Sequence, residues 1–489
     1  MAEPSMTPET AAALATVARL AQDLQWRQPD IRRFDDYYRG HQGKLRYASS
    51  EFADHFKSRY GTFSDNWCGV VADAPVERLE VVGFRLRDEA KPDEELWRVW
   101  RDNDADFYSD QAFLDATISK RAFMMVWGNP ADETTPRITW EHPAQAIIDY
   151  DPETHQRRSG LKCWVDDTTE YATLMTPTRI WKWQRSRFQG PQTESGLLVV
   201  GAESGWKPRE VGDEPWPLKN PLGVVPMVEL PNRPRLIGEP LSDIAGVVAM
   251  QDATNLFWAY LFSAADFSSF PARVITGAER PKVPILNDQG QVVGERPVPL
   301  EKFRQDRILW LEDPNAKIAE WQAANLASYG EVIEMCVSHT AAQSRTPPHY
   351  LMSKIVNANA ETLKTAETGL VKRTEEKTKS YGRGIREGAS LVALAQGDEA
   401  KARAMRSGTA LWRDVETRSE AQAVDGAMKL HSMGFPLEYL AQRIGIDPDE
   451  ITNILTMRRE EATLDPLAEL TRNIPPVSSL GNQADEELE

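Results

Sequence analysis

A chain of 489 residues is long enough for two to four domains and a substantial buried core. Its 57 Lys and Arg stand against 74 Asp and Glu, a formal net charge of −17. That balance excludes a protein that grips nucleic acid through clustered basic residues, but not one that lets nucleic acid pass. The cysteines Cys68, Cys163 and Cys336 lie far apart and read as reduced structural thiols, not as disulfide partners or zinc ligands. The seven histidines form neither HExxH nor a Cys–His cluster, so neither a metal nor a cofactor is expected. Glu3 and Glu9 at the start are unlike a secretory leader, and the chain reads as a soluble product of the cytoplasm.

Helical spacing of Leu14, Val17, Leu20, Ala21 and Leu24 predicts one or two helices over Pro8–Asp36, and Tyr37-Tyr38-Arg39 closes on the helix-stopping Gly40. A second helical region is expected from Phe52 to Ala74. Leu79–Arg87 switches to alternation and reads as a strand. Helices return over Glu94–Trp100 and Phe107–Phe123. A meander of short strands follows at Phe123–Trp127, Arg137–Trp140, Ala146–Asp149, Lys162–Val165, Tyr171–Met175 and Arg179–Trp183. The part up to about residue 230 is therefore α+β, helices first and a small antiparallel sheet after, with Gly190–Gly223 as a loop-rich edge.

Pro231–Pro240 is an extended lead-in crowded with proline and glycine. Ser242 or Asp243 can cap a helix that runs to the next breaker, Pro271, about 28 residues or roughly 42 Å. Its second half, Leu256 to Phe267, is apolar on nearly every face and must be covered all round. Gln251, Asp252, Asn255 and Asp266 interrupt it too often for a bilayer span. Two readings fit: a central core helix, or a helix flanked by copies of itself in a ring. In the second reading Trp258, Tyr260, Leu261 and Phe262 lie between subunits.

Short strands at Arg273–Thr276, Val292–Val298 and Arg307–Leu311 then make an insert of about 50 residues, small for an independent domain. A helix from Ala323 to about Ser344 stops at Thr346-Pro347-Pro348, and a loop follows. Asn359 can cap a long helix from Ala360 towards Ala395, with Leu363, Leu370, Thr374, Tyr381 and Ile385 on one face. Gly382, Gly384 and Gly388 each cost about 1 kcal/mol inside a helix, which makes sense where something packs very close to the backbone or the helix bends. The remainder is helical: Arg418–Met433, Pro436–Ile444, and a third helix opened by Asp447-Pro448-Asp449-Glu450. Residues 474–489 are acidic and expected to be disordered.

This order, together with Tyr37–Gly40, Asn66–Val71, Pro231–Pro234, Gln251–Asn255, Phe267–Gly277, Thr346–Tyr350, Asn359–Leu363 and Trp412–Asp414, resembles the portal proteins (head-to-tail connectors) of tailed bacteriophages, in the branch with long flexible tails. No single motif is diagnostic; their order is the specific part, and it covers most of the chain. The resemblance implies an α+β ring subunit. Residues 1–239 would be the wing, 240–270 and 323–345 the two stem helices, 271–322 the clip and 346–359 the tunnel loop. Residues 360–408 would be the long wing helix with its following segment, 409–473 the helical crown and 474–489 the tail. It implies a homo-oligomeric ring, twelve-fold in virions, at one capsid vertex, made in the host cytoplasm. The implied partners are the large terminase, the major capsid protein and scaffold, and a neck or adaptor protein at the clip. Double-stranded DNA would pass through without sequence specificity. Arg345, His349 and Lys354 would be the basic residues nearest that DNA; the alternative for all three is solvated loop charge.

The rival readings are weaker. No GxxxxGK[ST], GxSxG or metal-ligand spacing supports an enzyme. Pro436–Glu460 has the outline of a helix-turn-helix, yet Asp449 and Glu450 would lead the recognition helix towards phosphates, so helix packing is the preferred reading. Another ring-forming or capsid-associated structural protein remains as the third possibility.

Overall fold

The computed structural model describes residues 7–464 apart from 44, 62, 167, 187–204, 213, 270–272, 278–281, 288, 299–307, 312, 314, 316–324, 352–359, 417–419, 445 and 447. The chain divides into two compact units, one of residues 1–28, 75–241 and 371–489, the other of residues 29–74 and 242–370. Helices and small sheets alternate in both, an α+β architecture as predicted.

In the first unit the opening of helix α1 (Pro8–Arg39) lays Val17, Leu20, Ala21 and Leu24 on an antiparallel meander. The meander runs β4 (Ala146–Tyr150), β5 (Arg157–Asp166), β6 (Thr169–Met175), β7 (Arg179–Ser186), β8 (Lys207–Pro208), with β9 (Leu218–Lys219) also on β7. Trp181, Trp183 and Trp206 fill the space beneath α1. A second sheet orders β10 (Met227–Pro231), β2 (Arg121–Trp127) and β3 (Arg137–Glu141). It shares one core with α4 (Glu94–Asp102), α5 (Ala105–Ser119), α9 (Ala360–Ala395) and α10 (Glu399–Arg406). Strand β1 (Val81–Arg85) pairs antiparallel with β15 (Thr409–Trp412). Residues 409–412, grouped by sequence with the helical C-terminal part, thus form a strand beside the helices of this core. Their partner lies over 300 residues away, which local periodicity cannot see.

Of the predicted face of α9, Leu370, Thr374, Tyr381 and Ile385 are all fully buried, and the side chain of Leu363 lies outside the described residues. Three of its four glycines, Gly382, Gly384 and Gly388, answer a close approach. A methyl on Gly382 would stand 3.1 Å from the Trp412 indole nitrogen, one on Gly384 2.6 Å from the Glu229 carbonyl of β10, and one on Gly388 against the Met124 thioether.

In the second unit α6 (Val248–Ser269) packs along α7 (Leu326–Ser344). The helix α6 begins at Val248, five residues later than a cap at Ser242, or four later than one at Asp243, would start it. Residues 242–247 take tight turns instead, with Ala245 N–H donating to Ser242 O and Val247 N–H to Ile244 O. Gly246 in that stretch disfavours an earlier start. Between α6 and α7 the insert contains a parallel pair, β11 (Arg273–Thr276) with β14 (Ile308–Leu311), and a hairpin, β12 (Lys282–Leu286) with β13 (Val292–Pro297). The strand β12 was not among those expected; it contains Pro284, which a two-stranded hairpin, where every strand is an edge, tolerates. The helical region expected over Phe52–Ala74 holds two helices, α2 (Ser50–Tyr60) and α3 (Trp67–Val76), with residues 63–66 between them outside any helix. After α7 the one-turn α8 (Pro348–Leu351) occupies the start of the expected loop.

The C-terminal helices α11 (Glu420–Ser432), α12 (Leu437–Ile444) and α13 (Pro448–Leu464) follow the predicted order, with Gly434 at φ +90° after the first of them. The tail 474–489 lies outside the described residues.

The two glycine contacts on α9 should respond differently to a methyl. Gly384→Ala pushes on a carbonyl held by the β10–β2 ladder, and is expected to cost ~1–3 kcal/mol in urea unfolding. Gly388→Ala pushes on a flexible thioether and is expected to cost less. Equal losses would mean that β10 yields as easily as a side chain.

Candidate functional site

Three of the stretches that carry the resemblance, Tyr37–Gly40, Asn66–Val71 and Gln251–Asn255, meet at the first two turns of α6. Gln251 and Asn255, one helical turn apart, are 2% and 7% exposed. Buried amides must be satisfied, and these two satisfy themselves on the backbone between α2 and α3. Gln251 Oε1 accepts from Trp67 N–H at 2.8 Å and its Nε2 donates to Asp65 O at 2.5 Å. Asn255 Oδ1 accepts from Asp65 N–H at 3.1 Å. One turn on, Trp258 Nε1 donates to Asp65 Oδ2 at 2.7 Å, and Trp67 Nε1 donates to the same oxygen at 3.1 Å. Three successive turns of one helix face thus hold residues 65–67 in place.

The closing turns of α1 join from the other side. Tyr37 OH donates to Asp252 Oδ1 at 2.6 Å, and Asn66 Nδ2 donates to Tyr38 O at 2.6 Å. Asn66 Oδ1 accepts from Cys68 N–H at 3.2 Å at the start of α3. Burial pushes the Asp252 carboxyl above the usual carboxylate range, and burial beside Asp252 pushes the Tyr37 phenol up as well. A cavity of about 280 Å³ adjoins this network, bounded by Gln42, Arg46, Phe56, Phe63, Asp252 and Asn255. Burial also pushes the Cys68 and Cys163 thiols up to about 12, which suits inert structural cysteines.

The four residues placed between subunits by sequence are all half-buried within the single chain. Phe63 stands edge-on to Trp258 at 5.7 Å and to Phe262 at 4.8 Å, and Phe52 lies 5.2 Å from Tyr260. Part of this aromatic face is therefore covered by α2 and the stretch after it. Leu261, with neither a ring nor a polar side-chain atom, adds only half-buried aliphatic surface to this face.

Of the three basic residues assigned to the channel, Arg345 caps α7 in the left-handed conformation, φ +55°, and is exposed. A methyl on Gly369 of α9 would stand 3.3 Å from its Cβ, so the two backbones meet closely there. His349 lies in α8 with Nε2 3.5 Å from Glu367 Oε1 and its ring 5.0 Å from that of Tyr350. Lys354 lies outside the described residues.

Sequence reasoning missed Asp65 and took Phe63 only for an apolar residue of a helical region, so the receiving side of the α6 contacts went unseen. Their signal was present: Gly61 and the cap-forming run Ser64-Asp65-Asn66 stand just before Trp67 and mark a helix break. Among the described residues no group of three or more His, Cys, Asp or Glu could hold a metal ion, and no helix is long and apolar enough to cross a membrane.

Comparison with known proteins gives a consistent result. The model of the family "Phage portal protein, SPP1 Gp6-like" matches residues 18–464. The portal protein of Mycobacterium phage L5 is 28% identical over 418 residues, 80% of this chain and 78% of that one. The portal protein of Mycobacterium phage D29 is 28% identical over 417 residues with the same coverage.

Gln251→Ala strips the Trp67 N–H and the Asp65 carbonyl of their partner and is expected to destabilise the chain by about 2–4 kcal/mol. Gln251→Glu keeps the acceptor for Trp67 N–H but loses the donor to Asp65 O and adds a buried charge, so it should be no milder. Chemical denaturation of the two variants measures this; a loss below ~0.5 kcal/mol for both would show that α6 does not depend on these bonds.

Proposed function

The chain belongs to the phage portal protein family of the SPP1 Gp6-like kind, and from that premise we propose the specific parts its segments play in a portal ring. The match across residues 18–464 is the observation that carries the reading. A portal is a structural component of the virion, a ring associated with the capsid and with head and tail components. For this chain we assign residues 1–239 and 360–408 to the wing, 240–270 and 323–345, which contain α6 and α7, to the stem, 271–322 to the clip, 346–359 to the tunnel loop and 409–473 to the crown. The ring is twelve-fold in the virion, passes double-stranded DNA in packaging and ejection, and offers docking surfaces to the terminase, to capsid and scaffold proteins and, at the clip, to a neck protein. It performs no catalysis of its own.

The physical support is a matter of surfaces and charge. The second half of α6 keeps Trp258, Tyr260, Leu261 and Phe262 only half-covered by its own chain, which leaves apolar surface for neighbouring copies. Head-to-tail contacts between such faces close into a ring without any two-fold patch. A net charge of −17 suits a wall along which phosphates slide. The helix-turn-helix reading of α12 and α13 has no such support, because Asp449 and Glu450 open α13.

Electron microscopy of the purified chain is the direct test: closed rings of one dominant symmetry are expected, and a monomer or a sequence-specific DNA complex would overturn the reading. Leu261→Asp probes the stem contact with the least damage inside the chain. It is expected to leave the monomer folded and to cost on the order of several kcal/mol per contact in assembly, seen as loss of rings in native mass spectrometry. For the loop after α7, the double variant His349→Ala with Lys354→Ala is expected to assemble normally and to change the length or retention of packaged DNA, through weak, salt-screened phosphate contacts. Normal filling and retention in particles carrying it would remove the DNA role of both side chains.

A further inference from the structure

Two exposed features of the first unit are complementary in chemistry and lie at opposite ends of α5. At its start Phe107 and Tyr108 are 63% and 45% exposed, their rings edge to face at 5.2 Å. Asp104, Asp106 and Asp110 surround them on the same turns, all exposed. Partial burial, with Glu80 and Asp106 beside it, pushes the Asp110 carboxyl up to about 6, so this end of the helix favours an arriving cation.

Just past the other end of α5, Lys120 O accepts from Asn232 N–H at 2.8 Å, and the chain then makes a loop over residues 233–240. Leu236 and Ile237 at its tip are 106% and 86% exposed, and Arg233 and Arg235 beside them are exposed as well. The loop is pinned at its base. Asn232 is fully buried, with Nδ2 donating to Leu241 O at 2.7 Å and Oδ1 accepting from Lys377 Nζ at 2.5 Å and from Tyr381 OH at 3.0 Å. Glu239 at its far side pairs with Arg121 and Arg27. Arg233 itself sits at φ +46°, a conformation that a non-glycine residue keeps only where its surroundings impose it. Two branched aliphatics are therefore held out in water on a fixed support, which marks a contact surface.

We propose that this loop of one copy docks on the aromatic–acidic patch of the next, Leu236 and Ile237 against the rings of Phe107 and Tyr108, and Arg233 and Arg235 towards Asp106 and Asp110. The two partners are different surfaces, separated by about 18 Å along a helix rising 1.5 Å per residue, so a copy cannot fill its own patch. Each pairing leaves a free loop on one copy and a free patch on the other. That is the head-to-tail arrangement that closes into rings. A second copy of this chain is the fitting partner because the chain itself carries the receptor of matching charge and apolarity. The inference rests on the ring reading above and adds to it a named contact outside α6.

The full-length chain allows a clean crosslinking test, because Cys68, Cys163 and Cys336 are all buried. The double variant Tyr108→Cys with Ile237→Cys, mildly oxidised, should give a ladder of disulfide-linked multimers that neither single variant gives. Arg235→Glu should raise the concentration needed for assembly by about tenfold or more, and adding Asp106→Arg should restore it. Rings of normal size without a ladder, or additive loss in place of rescue, overturn the contact and leave the ring reading standing. An unmodified chain that forms no rings overturns both.

Discussion

Buried amides have to be satisfied, and in the second unit that requirement fixes the structure around α6. Gln251 and Asn255 could not sit inside an apolar helix face unless something supplied a donor and an acceptor at matching height. The backbone of residues 65–67 does so, and Trp258 adds a third point of attachment one turn later. Because Asp65 offers its N–H, its carbonyl and its carboxylate to three different α6 side chains, the register between helix and strand-like segment has one solution. The position of α3, which starts at Trp67, follows from it, as does the seating of Phe63 against Trp258 and Phe262. Tyr37 on Asp252 extends the same constraint to the end of α1.

The first unit solves a different problem by close approach. Three glycines on α9 let Trp412, the Glu229 carbonyl and Met124 come within what would be clash distance of a methyl group. The helix thereby touches β15, β10 and β2, three strands drawn from distant parts of the sequence. Tyr381 stacks at 3° on Phe113 of α5 with ring centres 5.4 Å apart, and its hydroxyl lies among Thr117, Asn232 and, through Asn232, Lys377. One long helix is thus the common wall of several elements that share no sequence neighbourhood.

The helices were legible because their apolar residues repeat at helical spacing over ten residues or more, and the meander because its strands alternate. What stayed hidden was non-local or interrupted. The pairing of Val81 with Trp412 joins residues that no window contains together. Gly61 and Ser64–Asn66 broke a helix whose apolar period nevertheless continued from Phe52 into Val71. The polar residues Gln251, Asp252 and Asn255 were read as interruptions that exclude a membrane span, which they are. That they form the gripping face of α6 depends on a partner segment nearly 200 residues earlier, and no periodicity reports a partner. The Pro231–Pro240 stretch read only as a lead-in, since a pattern of prolines and glycines announces an irregular path without saying which side chains it leaves in water.

The insert between α6 and α7 has a mechanical property set by its base. Its first and last strands, β11 and β14, run parallel, Arg273 opposite Ile308 and Thr276 opposite Leu311. The chain enters at the start of β11 and leaves at the end of β14, so a pull applied to the hairpin between them draws the two strands past each other along their length. All the rungs of the pair then carry load together, where an antiparallel pair would open one rung at a time. A tether clamped in shear at its root can transmit force from its tip towards its base before it gives way.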